Sequence, residues 1–97
     1  MNNETKKIKS ALRDVIDFEL GLDVVSMGLI RDIEMDDDNV TITMILTSPM
    51  CPMASMLMGQ VRDRANEITE KSVEVVMGKE RWKPEMMEEE ARESLGI

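Results

Sequence analysis

Ninety-seven residues, 42% of them apolar and 33% charged, suit one soluble globular domain spanning residues 1–97. With 20 acidic residues against 12 basic, the net charge of −8 excludes a phosphate-gripping nucleic-acid surface and an anionic-membrane surface, which both need clustered Lys and Arg. One cysteine, no apolar run near the ~20 residues of a membrane span, and no apolar export core in "MNNETKKIKS" point to the reducing cytoplasm.

The first periodic segment is "TKKIKSALRDVI". Ile8, Leu12, Val15 and Ile16 form one stripe of an amphipathic helix. "DFELGLD" breaks that pattern, and Gly21 suits a turn. In "VVSMGLIRDIEM" the odd positions Val25, Met27, Leu29, Ile33 and Met35 are apolar, which predicts a half-buried strand. "DDDN" is a polar turn, and "VTITMILT" follows with Val40, Ile42, Met44 and Leu46 on its inner face. Together these segments predict a β-hairpin.

A second helical stripe runs through Leu57, Val61, Ala65 and Ile68. "VEVVM" predicts a third strand with Val73, Val75 and Met77 inward, and Pro84 opens a last helix, "PEMMEEEARESL". The order α-β-β-α-β-α predicts a two-layer α+β fold. Its three-stranded mixed sheet carries helices on one face, and the third strand runs parallel to the second. The eleven methionines read either as adaptable core filling, in a chain whose only aromatic residues are Phe18 and Trp82, or as an adaptable surface for partners.

That connectivity gathers polar turns at one end of the sheet. The turn before the hairpin, the one after it and the one after the third strand bring together Asp17, Glu19, Asp23, Thr47, Ser48 and Cys51, with Lys79, Arg81 and Trp82 nearby. Pro52 fits the first position of a helix, which puts Cys51 at the cap. There, unpaired amides and the helix dipole favour a thiolate able to bind metal or attack an electrophile. The alternative is a buried apolar cysteine without chemistry. For the acids, the alternative is ordinary solvated turn residues, and for Trp82 a clamp on the last helix.

"VIDFELGLDVVSMGLIRDIEM" and "VTITMILTSPMCPM", closed by "RWKPEMMEEEARESLGI", resemble the iron–sulfur assembly family that includes SufT and PaaD-like proteins. The likeness lies in an acidic turn, the run Asp23–Val24–Val25–Ser26–Met27–Gly28–Leu29–Ile30, a Thr-x-x-x-Cys-Pro turn, and a Trp-x-Pro with a terminal Leu-Gly. Phe18 stands where that family usually has proline. The resemblance implies that Cys51 is the reactive or metal-binding residue, with Asp17, Glu19, Thr47 and Pro52 matching the other motif positions. It also implies a factor that handles clusters or iron, or delivers them to recipient apo-proteins, alongside the assembly machinery.

The ligand arithmetic narrows this. Clusters normally take four protein ligands, mostly thiolates, so one Cys per chain requires a homodimer sharing an iron–sulfur cluster or iron, carboxylate help, or an external thiol. The alternative function is a non-catalytic adaptor that binds clients and holds no cluster. Because the chain has no histidine, a Cys–His enzyme is disfavoured, although Lys79 could stand in as base. A zinc site of the usual kind is disfavoured for the same reason.

Overall fold

The computed structural model describes residues 3–17, 21–47 and 54–96. In chain order these form α1 (Asn3–Leu12), β1 (Ile16–Asp17), β2 (Leu22–Asp23), β3 (Ile30–Met35), β4 (Asn39–Met44), α2 (Ala54–Ile68), β5 (Ser72–Met77), a 3-10 turn (Pro84–Met86) and α3 (Glu89–Leu95). The main sheet has the order β3-β4-β5. Its β3–β4 pair is antiparallel and its β4–β5 pair parallel, as the connectivity requires.

Register places Ile33 and Met35 beside Ile42 and Val40, which in turn lie beside Val75 and Val73. Residues paired across adjacent strands share a face, so these side chains form one apolar surface. Ile8, Leu12, Leu57, Val61 and Ala65 of the two long helices join Val40, Ile42 and Met44 in a single core. This is the helix-covered two-layer arrangement expected from the pattern. No helix among the described residues is long and apolar enough to cross a membrane.

Five segments differ from what the residue pattern predicts. The first helix ends at Leu12 because the Arg13, Asp14 and Val15 amides bond to carbonyls three residues back, tightening the last turn. Val15 is still buried, while Ile16 begins a two-residue ladder with β2, in the register Ile16–Asp23 and Asp17–Leu22.

The second difference is larger. Residues 24–29 alternate like a strand but form a turn. The Asp23 carboxylate accepts the Val25 and Ser26 amides at 3.1 and 2.9 Å and the Ser26 hydroxyl at 2.6 Å, and Gly28 takes φ 76°. An Asx turn offers these amides a partner that a strand would otherwise supply. Val25, Met27 and Leu29 are nonetheless buried, as their hydrophobicity demands.

In β4 the alternation stops at Met44. The Ile45 amide turns to the Leu29 carbonyl at 2.8 Å, so Ile45 rather than Leu46 is fully buried. In β5, Met77 stays 48% exposed instead of pointing into the core.

The last helix is broken in two. Met87 and Glu88 take extended backbone (ψ 150° and 149°), and the Glu88 amide donates to the Ser26 carbonyl at 2.8 Å rather than continuing the helix. A tertiary hydrogen bond here outcompetes a local one.

Candidate functional site

A ladder of backbone hydrogen bonds assembles one end of the sheet. The Val24 amide bonds to the Val15 carbonyl, Leu29 to Val24, and Ile45 to Leu29, at 2.9, 3.0 and 2.8 Å. The segment leading into β1, the Asx turn and the end of β4 are thereby stitched side by side. On the far side, the Gly78 amide bonds to the Met44 carbonyl at 2.8 Å, bringing the segment after β5 to the same edge.

Between these segments lies a cleft of about 340 Å³ lined by Leu46, Thr47, Met77, Lys79, Arg81 and Trp82, among others. Gly78 is part of its floor. A methyl on Gly78 would come within 3.0 Å of the Ile45 side chain, so the glycine allows the two segments to close up. The Trp82 indole donates to the Met27 carbonyl at 2.7 Å, fixing the cleft wall against the Asx turn. Glu80 is held from behind by Arg31, through Nε at 3.2 Å and Nη2 at 3.4 Å. Arg31 also donates to the Gly28 carbonyl at 3.3 Å. With Glu80 engaged by Arg31, Lys79 and Arg81 are exposed cations on the cleft.

The same end is clamped from the residue that precedes α3. Arg13 makes a two-pronged bond to Glu88, at 2.8 and 3.0 Å. That hydrogen bond, with attraction to the guanidinium, holds the Glu88 carboxyl below its ordinary value of 4.5 and raises Arg13. Gly28 sits directly beneath the 3-10 turn, where an added Cβ would lie 2.2 Å from the Met86 carbonyl oxygen.

Thr47 is half-buried and lines the cleft together with Lys79, Arg81 and Trp82, the convergence expected from connectivity. Asp17 lies in β1 at 8% exposure and is not among the cleft-lining residues. Asp23 is committed to its own turn. Glu19, Cys51 and Pro52, the proposed helix cap at Cys51, and Ser48 lie outside the described residues. Trp82, expected from sequence either near the converging turns or as a clamp on the last helix, bonds to the Asx turn and forms a wall of the cleft. The signal for this was its indole N–H, which needs an acceptor when partly buried. Among the described residues, no group of three or more Cys, Asp or Glu is arranged to hold a metal ion.

Comparison with known proteins places this architecture. Residues 5–77 match the family model described as iron–sulfur cluster assembly protein. The chain is 39% identical over 95 residues to the Fe-S protein maturation auxiliary factor YitW of Bacillus subtilis, covering 95% of this chain and 93% of that protein. It is 40% identical over 86 residues to the Fe-S protein maturation auxiliary factor SufT of Staphylococcus aureus, covering 86% and 98%. Among solved structures, a domain of unknown function from Bacillus anthracis superposes with a TM-score of 0.89 at 36% identity, covering 97% of this chain and 92% of that one. A conserved hypothetical protein from Thermotoga maritima gives a TM-score of 0.77 at 40% identity, covering 100% and 96%.

Proposed function

The chain belongs to the iron–sulfur cluster assembly protein family, and from that membership we propose that it is an auxiliary factor in the maturation of iron–sulfur proteins. It handles clusters or iron, or delivers them to recipient apo-proteins, through Cys51. The observation that carries this reading is the near full-length likeness to two proteins named as maturation auxiliary factors. The cleft at Thr47 is consistent with it. Cys51 follows Thr47 by four residues, a tether that reaches at most about 14 Å.

Thiolate-ligated iron–sulfur clusters carry net negative charge, so Lys79 and Arg81 on the cleft would favour such a cargo electrostatically, even on a chain of net charge −8. Thr47 would offer a hydroxyl donor to a thiolate or sulfide, while Asp17 lies in β1 of the neighbouring segment. One thiol and no histidine leave the ligand set of a cluster incomplete, so cargo bound here keeps positions open for a second donor. Open positions suit transfer, because a recipient's thiolates can replace the carrier's ligands one at a time. No acid–base pair is required for such ligand exchange, in keeping with an auxiliary rather than catalytic role. The same incomplete donor set favours a second reading, an adaptor that captures apo-proteins without holding the cluster.

Anaerobic reconstitution with iron and sulfide, comparing the unaltered protein with Cys51→Ser, tests the carrier reading. Cluster absorption in the first and its loss in the second is expected. Equal, negligible absorption in both removes cluster holding. Capture of an apo iron–sulfur protein that survives Cys51→Ala but fails when Lys79 and Arg81 are reversed to Glu then identifies the adaptor.

A further inference from the structure

The two edges of the main sheet are built differently. The β3 edge carries Arg31, Asp32 and Glu34 and is irregular between Ile30 and Asp32, features that discourage another strand from pairing. The β5 edge, Ser72–Met77, has the sequence SVEVVM, with no Lys, Arg or Pro and one charge, Glu74.

The hydrogen-bond phase of β5 determines which groups face outward. The Ser72 amide bonds to the Asp38 carbonyl and the Gly78 amide to Met44, so even-numbered residues address β4. The N–H and C=O of Val73, Val75 and Met77 therefore point away from it. Beside this edge runs a groove of about 380 Å³ between α2 and β5, lined by Met58, Gly59, Arg62, Val73 and Val75 among others. A methyl on Gly59 would meet nothing within 4 Å, and Met56 on the same helix is 52% exposed.

We infer that β5 pairs with β5 of a second copy, antiparallel about a two-fold axis at Val75, to give a continuous six-stranded sheet. This register sets outward-facing groups opposite outward-facing groups, with Val75 against its own copy and Val73 against Met77. Glu74 then faces Val76, whereas moving the axis one residue back would set two Glu74 carboxylates opposite each other. The next pair outward, Lys71 with Lys79, lies past the strand ends, and Lys71 is engaged by Glu4 at 3.3 Å within its own chain. The two-fold axis stands perpendicular to the sheet, so both α2 helices lie on one side and the open grooves at Gly59 face each other. Antiparallel pairing also puts each Thr47 cleft beside the partner's Ser72 end. The two clefts stay apart, and neither completes the other's ligand set, so the pairing is independent of how cargo is held.

Sedimentation equilibrium from low micromolar to millimolar protein is expected to show mass rising from 11.0 kDa toward twice that value. Val75→Pro removes only an outward-facing donor, so it should abolish the rise while circular dichroism stays unchanged. Amide exchange gives a test that does not depend on the variant folding. Val73, Val75 and Met77 should gain protection with concentration, while Glu74 and Val76 are protected at every concentration. A constant 11.0 kDa, or a dimer in which the odd-numbered amides still exchange freely, overturns the proposal. Protection that needs an added extended peptide and never arises in the pure protein assigns the edge to another chain and overturns it equally.

Discussion

Two turns in this molecule use one device and reach opposite ends. Asp36 accepts the amides of Asp38 and Asn39 at 2.9 and 2.7 Å, and Asp23 accepts those of Val25 and Ser26 at 3.1 and 2.9 Å. Residues 36–39 remain exposed, and the turn closes the hairpin with one bond from outside it, the Ser72 amide on the Asp38 carbonyl. Around Asp23, Val24, Met27 and Leu29 are fully buried, Ser26 receives the Glu88 amide, Met27 receives the Trp82 indole, and Gly28 lies under Met86. An Asx turn specifies a local bend, and what the rest of the chain stacks on it decides whether it is a surface loop or a platform for the site.

The buried turn depends most on Gly28. An alanine there must adopt φ 76° and press into the Met86 carbonyl, so Gly28→Ala should cost about 3 kcal/mol and loosen the 3-10 turn, as urea unfolding would show. If its stability matches the unaltered protein, the platform reading is wrong. Asp23→Ala leaves two partly buried amides without their acceptor and should cost about 1–2 kcal/mol by the same measurement. Trp82→Phe keeps most of the packing and strands one carbonyl, costing about 1 kcal/mol; red-shifted tryptophan emission on unfolding of the unaltered protein would report the same wall opening.

Glu88 sharpens the picture through pH. Its carboxyl is held below 4.5 when folded, so its contribution is fully present above that value and is lost as the pH falls through the lowered folded-state value. Glu88→Gln should flatten the acid limb of a thermal-stability profile and change stability at neutral pH by well under about 1 kcal/mol, since both partners are nearly half exposed. Asp36→Ala should have the smallest effect of the series, because solvent can replace its bonds. A drop as large as that of Asp23→Ala would erase the contrast between the turns.

Much of the architecture was legible in the residues. Ile8 and Leu12, Leu57 with Val61 and Ala65, and Val40 with Ile42 and Met44 carry periods that only a helix or a strand can bury on one face, and the core uses them so. The convergence of Thr47, Lys79 and Arg81 followed from strand order alone. Residues 24–29 misled because apolar alternation records burial, and a capped turn can bury Val25, Met27 and Leu29 as well as a strand does, with Val24 and Gly28 besides. The broken final helix was equally hidden. Nothing near Glu88 announces that its amide will find Ser26 and its carboxylate Arg13, 75 positions away.

The two-layer fold, the parallel return of β5 and the end of the sheet where polar turns meet are written in the residue pattern, because periodicity and connectivity can be read along the chain. Tertiary contacts are what make the Asx turn a buried platform, set Trp82 as a wall of the cleft and leave β5 at a sheet edge without a neighbour among the described residues. Those outcomes rest on hydrogen bonds between residues distant in the chain, whose partners become available only once the core has brought them together.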